Sequence, residues 1–187
     1  MNYYKKIDFK CASLIKDYVN NLISSTLVSG ETKKVISKII ELPDNILAIV
    51  NQELSLLGIS NVEYCRIYLW PKKSIQFTHV DNGLHCAINI PLRGGENSLF
   101  RWWAAEFKTR LVDIIGTGQT VEAIEWLTAR KLAQEIEIKD GCYLIRIDQP
   151  HQAVMSETSD RWMFTMRFKG NPTFEELYDR LPHSNIE

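Results

Sequence analysis

From Asn61 onward the chain breaks into short runs rich in β-branched and aromatic residues, each closed by a turn signal. The runs VEYCRIYLW, SIQFTHV, CAINIPL, QEIEIKDG, GCYLIRI and RWMFTMRF are bounded by Pro-Lys-Lys, Asn-Gly, Gly-Gly, Asp-Gly and Gln-Pro. Polar and apolar residues alternate through Glu135 to Lys139 and through Arg161 to Phe168, the period of a strand that shows different faces to different surroundings. A chain built this way must pair many short strands. It is read as mainly β, a sandwich or jelly-roll barrel with helices on one side.

Those helices come first. CASLIKDYVNNLISS carries Ala12, Leu14, Ile15, Tyr18, Val19, Leu22 and Ile23 at helical spacing, which makes one apolar face. Ser29-Gly30 breaks the pattern, and ETKKVISKIIEL reads as a short second helix. Pro43 and Asp44 open a third, DNILAIVNQELSLLG, with Asp44 as its N-cap and Gly58 as its stop. These faces are expected to pack on the sheet and carry no chemistry. Between strands, residues 104–132 mix helix and loop signals. Without repeats or a linker, 1–187 reads as one domain: a helical layer over 1–60, a β core over 61–170 holding the 104–132 insert, and a tail over 171–187.

Composition narrows the function. A net charge of −1 gives no pull toward nucleic acid or anionic lipid. No apolar run approaches the ~20 residues of a membrane span, and the start MNYYKKIDFK lacks a signal peptide's apolar centre. Cys11, Cys65, Cys86 and Cys142 are scattered among apolar neighbours with no Cys-x-x-Cys pair, as buried small hydrophobes in a reducing compartment would be. The cytoplasm is the expected location.

The chemistry centres on SIQFTHVDNGLHCAINIPL. In a strand, residues i and i+2 project to one side, so His79 and Asp81 can bind one ion from a single segment. A second imidazole, His151, lies far downstream in CYLIRIDQPHQAV and must come from another strand folded beside the first. A jelly roll does this, because its winding makes distant strands neighbours. Two imidazoles and one carboxylate on one face of a divalent metal leave the opposite face open, the ligand set of non-haem iron(II) enzymes that activate oxygen. Asp81-Asn82-Gly83 also has the composition of a plain hairpin turn, but a turn does not call for both histidines. His85 is taken as a strand histidine outside the set, and His183 as a solvent-exposed one.

Arg161 opens RWMFTMRF about ten positions after His151. Alternation puts Arg161, Met163, Thr165 and Arg167 on one face. An arginine on an apolar strand is costly to bury unless it meets an anion, and a guanidinium fork beside a metal suits a carboxylate. Arg161 is the first choice for that role and Arg167 the second. Asn89, the polar side chain inside CAINIPL, either adds a hydrogen bond to a bound acid or is a buried Asn bonded to a neighbouring strand.

These residues resemble the 2-oxoglutarate- and iron(II)-dependent oxygenase superfamily, whose pattern is His-x-Asp, a distal His and a basic residue about ten positions on. The resemblance runs from about Tyr64 to Phe168. HVDNG…AINIPLRGGENSLFRWW and QPHQAV…RWMFTMRF are also similar to small uncharacterised bacterial and phage members. It implies a double-stranded β-helix, a cupin-like core flanked by α-helices. It further implies iron(II) as cofactor, 2-oxoglutarate as co-substrate, decarboxylation to succinate and carbon dioxide, and hydrogen abstraction from a substrate. His79, Asp81 and His151 carry over as ligands, and Arg161 as the partner of the remote carboxylate. Many relatives place a Tyr or Thr on the strand after His-x-Asp. Asn89 is the nearest equivalent here, and Tyr68 on the strand before is the other source of a co-substrate contact.

The substrate is either a small molecule or a protein side chain. NSLFRWW sets Arg101, Trp102 and Trp103 just past a strand, as a stacking rim or as core under the insert. The insert and the tail NPTFEELYDRL are candidates for a lid or for a contact in a homo-oligomer. Two other classes fit the same residues: a cupin-like metal- or ligand-binding module without turnover, and a metalloenzyme that does not use 2-oxoglutarate.

Overall fold

A computed structural model describes residues 1–26, 35–114 and 118–184. In chain order its elements are β1 (Tyr4–Ile7), α1 (Ala12–Thr26), β2 (Ile36–Ile40), α2 (Asp44–Leu56), β3 (Val62–Trp70), β4 (His79–Asp81), β5 (Cys86–Arg93) and β6 (Leu99–Ala104). Then come β7 (Phe107–Ile114), β8 (Gln119–Trp126), β9 (Lys131–Glu137), β10 (Cys142–Arg146), β11 (His151–Val154), β12 (Arg161–Phe168) and α3 (Phe174–Arg180). The strands form two six-stranded antiparallel sheets, ordered β1-β10-β5-β12-β3-β2 and β7-β8-β4-β11-β6-β9. Neighbours such as β4 and β11, or β3 and β12, are far apart in sequence. The architecture is the jelly roll expected of the run pattern.

Two apolar clusters explain the layering. One joins Ile15, Val19, Val50 and Leu54 of the helices to Ile67, Ile88, Phe164, Met166 and Phe168 on the first sheet. The other fills the space between the sheets with Trp70, Ala87, Phe100, Trp102, Ile145 and Met163. Strand β12 therefore obeys its alternation: Phe164, Met166 and Phe168 face the helices, and Met163 faces the second sheet. The four cysteines are free and buried, and burial pushes the Cys65 thiol up to about 12, so it behaves as a small hydrophobe. Among the described residues no helix is long and apolar enough to cross a membrane.

Several local readings change. The described part of the expected second helix is strand β2, which pairs with β3 along the sheet edge. Val35, Ile36, Ile39 and Ile40 have helical spacing, but β-branched chains suit a strand, and β3 needs a partner. Ser29-Gly30 and residues 31–34 lie outside the described residues. Asp44 is not the N-cap: Pro43 holds that position without a side-chain bond, and Asp44 sits in the first turn, where its charge meets the helix dipole favourably. Gly58 does end the helix, at φ +67°, with bonds from Gly58 N to Ser55 O and Ile59 N to Leu54 O that form a Schellman motif.

The insert is a β-hairpin, not helix and loop. β7 pairs with β8, and β8 pairs with β4, extending the second sheet beside the His-x-Asp strand. The tail is not a lid. Thr173 and Glu176 form a capping box for α3, and Phe174 and Leu177 are buried in the helix-side core.

Candidate metal centre

Strand register builds the site. His151 on β11 stands directly opposite His79 on β4, and the two rings lie 4.4 Å apart between centroids. Asp81, two residues after His79, projects to the same side. Its Oδ1 is 3.3 Å from Nε2 of His79 and 3.8 Å from Nε2 of His151. One ligand atom from each of the three side chains lies within 4.8 Å of the others. Donor atoms at right angles around one ion stand about 3 Å apart when each bond is about 2.1 Å, so modest closure completes a facial set.

Both imidazoles are held in the tautomer a metal needs. Nδ1 of His79 lies 3.0 Å from the Phe77 carbonyl, and Nδ1 of His151 lies 2.9 Å from the Gln149 carbonyl. A carbonyl only accepts, so each Nδ1 carries the proton and each Nε2 turns a lone pair toward Asp81. Burial, with His79 beside it, lowers the His151 pKa to about 3, so this ring stays neutral at ordinary pH. Burial alone would raise the Asp81 carboxyl. The close contact with His79 and the charge of Arg167 outweigh it and hold the group well below the usual carboxylate range. Two neutral nitrogens and one anionic oxygen suit a divalent ion of the iron(II) type.

The second carboxylate oxygen of Asp81 is already engaged. Arg167 donates to it at 2.8 Å and to Thr165 Oγ1 at 3.2 Å, and Thr165 donates to Asn89 Oδ1 at 2.6 Å. This chain fixes the carboxylate so that Oδ1 faces the histidines. Arg161, at the other end of the same strand, is 1% exposed, and its Nε and Nη1 have no hydrogen-bond partner among the described residues. Its guanidinium lies over the Trp70 ring at 5.7 Å. Burial lowers its pKa to about 10, which leaves it cationic at neutral pH.

The cavity at the triad, about 50 Å³, is walled by Tyr68, Trp70, Phe100, Val121, Met163 and Arg167, with Asn89 and Thr165 also lining it. Phe100 stacks on His151 at 5.3 Å, and Tyr68 accepts a hydrogen bond from Gln119 at 2.7 Å. Gln76, Gln119 and Val121 were not among the candidates. Gln119 and Val121 reach the cavity because β8 pairs with β4, and strand periodicity in GQTVEAIEW was the available signal.

The residues of the expected stacking rim lie away from the triad cavity. Trp102 is wholly buried, and its Nε1 donates to the Arg146 carbonyl at 2.9 Å. Arg101 is paired with Glu135. Trp103 donates to Gln152 at 3.0 Å and carries Arg130 over its ring. None of the three lines the triad cavity, which β6 reaches through Phe100 instead. His85 lies near Asp148 at 3.5 Å, outside the triad, and His183 is exposed.

No protein-family model matches the chain, and no curated protein does. Solved structures do match. A prolyl-4-hydroxylase from Pseudomonas putida is similar at 12% identity and TM-score 0.50, over 88% of this chain and 90% of that one. A prolyl hydroxylase from Trichoplax adhaerens, in complex with a hypoxia inducible factor oxygen degradation domain peptide fragment, is similar at 15% identity and TM-score 0.50, over 90% and 84%. An oxidoreductase of the 2OG-Fe(II) oxygenase family from Burkholderia pseudomallei matches at 10% identity and TM-score 0.48, over 83% and 80%. At such identities the likeness to the two hydroxylases shows the fold.

Proposed function

We propose that this chain is an iron(II)- and 2-oxoglutarate-dependent oxygenase of the hydroxylase type. The observation that carries the reading is a buried cation, Arg161, whose Nε and Nη1 have no hydrogen-bond partner among the described residues, on the strand whose other end braces a three-residue metal site. A cation stripped of water and left unpaired is costly, and a dicarboxylate held at its near end by the metal would supply the missing anion.

His79, Asp81 and His151 would hold the metal, and iron(II) there supplies oxygen activation coupled to decarboxylation of 2-oxoglutarate to succinate and carbon dioxide. Arg167 keeps Asp81 ionised and aimed. Asn89, whose oxygen is taken by Thr165, has its amide hydrogens left for the bound acid. Phe100, Val121 and Met163 keep the cavity apolar around these polar groups, which strengthens the electrostatics inside it. The present cavity has room for an ion and a water or two. Met163, two residues from Arg161 on the same face, is the flexible wall that must swing aside to admit a five-carbon diacid. The neighbour in complex with a peptide fragment supports a peptide or small-molecule substrate.

The test is an anaerobic titration with Fe(II) and then 2-oxoglutarate, read by the weak visible metal-to-ligand charge-transfer absorption. The expected result is saturable iron binding followed by the band, both lost in His79→Ala. Iron binding without the band would move the assignment to a metalloenzyme that does not use 2-oxoglutarate. No iron binding would leave a cupin-like module.

A further inference from the structure

A second cavity, about 150 Å³, opens beside the triad cavity and shares Tyr68, Trp70, Gln76, Ile114 and Gln119 with it. Its own contribution comes from Val35, Ser74, Ile75 and Phe77, and Ile75 and Phe77, on the segment leading into β4, are 65% and 44% exposed. Among the described residues that line it there is no carboxylate, lysine, arginine or histidine. A charged group entering here would lose water and meet no counter-charge. An apolar group would cover exposed Ile75 and Phe77 and stand against Trp70. Apolar cavities of about this volume accept a benzene-sized molecule.

Two carboxamides stand on the wall beside the Ser74 and Tyr68 hydroxyls, and Ser74 already donates to the Pro71 carbonyl at 2.6 Å. Gln119 already donates to Tyr68. Gln76 donates to Nε2 of His79 at 3.3 Å, the nitrogen that would bind the metal. With that lone pair committed to an ion, the Gln76 amide loses its acceptor and needs another partner. A carbonyl or hydroxyl on a molecule in the second cavity supplies one.

Building on the oxygenase reading, we infer that this cavity is the substrate entrance. Its substrate presents an uncharged apolar group, of ring or branched-aliphatic size, next to an uncharged hydrogen-bonding group that meets Gln76. The same chemistry could come from a free small molecule or from an apolar side chain in a peptide.

The full chain, apo and zinc-loaded, is titrated with toluene, N-acetyl-phenylalaninamide, benzoate and benzylammonium, following the Trp70 indole N–H by NMR. Iron and 2-oxoglutarate binding are titrated separately. The uncharged probes should shift the signal saturably, and the two charged ones should bind at least tenfold more weakly. Ile75→Asp, a change at an exposed position, should weaken the uncharged probes tenfold and leave the iron and 2-oxoglutarate titrations unchanged. Gln76→Leu should weaken N-acetyl-phenylalaninamide but not toluene in the zinc-loaded protein. Tighter binding of the amide than of toluene would assign a peptide side chain, and the reverse a small molecule. Equal binding of charged and uncharged probes, or indifference to Ile75→Asp, would overturn the inference. A silent iron titration with apolar binding intact would instead overturn the oxygenase reading and leave an apolar binding site without turnover.

Discussion

Arg161 and Arg167 occupy the two ends of β12, point to the same side and are both buried, yet their surroundings are opposite. Arg167 donates to Asp81 and Thr165. Burial would lower its pKa, and the Asp81 carboxylate, with Tyr68 and Tyr64, more than compensates and raises it. Arg161 has an aromatic ring beside it and no paired anion among the described residues, and burial lowers its pKa. One arginine completes the resting fold. The other is a buried charge with no such pairing among the described residues, the kind of local cost that collects at functional sites, and the co-substrate role proposed for it would account for that cost.

Opposite signs of stability change follow. Removing Arg167 with Arg167→Met strands the Asp81 carboxylate in a dry site, so the apoprotein should lose roughly 3 kcal/mol in denaturant unfolding. A loss below about 1 kcal/mol would mean that the pair is solvated. Acid should attack the same end. His151 is held neutral, with a folded pKa near 3 against 6.5 unfolded. The unfolded chain therefore takes up a proton first, and stability falls as pH drops below about 6.5, by roughly 3 kcal/mol at pH 4. Asp81, whose carboxyl is lowered, adds its own loss only below its unfolded value of 3.8. The Arg161 end is silent in this range because its guanidinium keeps its proton until about pH 10. Urea midpoints from pH 7 to pH 4 measure the slope, and a flat profile would contradict the buried neutral imidazole.

At that other end, Arg161→Met should stabilise the apoprotein by about 1 kcal/mol, since it replaces an unpaired buried cation with apolar volume. A clear destabilisation would mean that Arg161 serves the resting structure after all. The smallest effect belongs to the connector: Thr165→Val removes the hydroxyl between Asn89 and Arg167 and should cost about 1 kcal/mol, without changing the response to Arg161→Met.

Much of this was legible from one strand's period. His79 and Asp81 share a side because they are i and i+2, and the alternation of RWMFTMRF separates its two faces as the clusters do. The meeting of His151 with His79 follows from jelly-roll winding, although no local signal gives their register. That Arg167 is the arginine paired with Asp81 was not legible. Both lie on one face, and which of them reaches Asp81 depends on β12 meeting β3 with Arg161 opposite Trp70 and Arg167 opposite Tyr64. Strand β2 was misread because a short run of Val and Ile satisfies helical and strand spacing alike. The hairpin β7–β8 was missed because its strands are exposed or half-buried along nearly their whole length, with only Val121 buried, which blurs the alternation a buried face would give.

The most direct measurement compares the affinity of the iron-loaded protein for 2-oxoglutarate and for 2-oxopentanoate, the same keto acid without the remote carboxylate. The parent should prefer 2-oxoglutarate by about 100-fold, the size of a desolvated arginine–carboxylate contact, and Arg161→Met should bind both equally. A preference that survives in Arg161→Met, or no preference in the parent, would contradict the assignment of the unpaired arginine to the co-substrate.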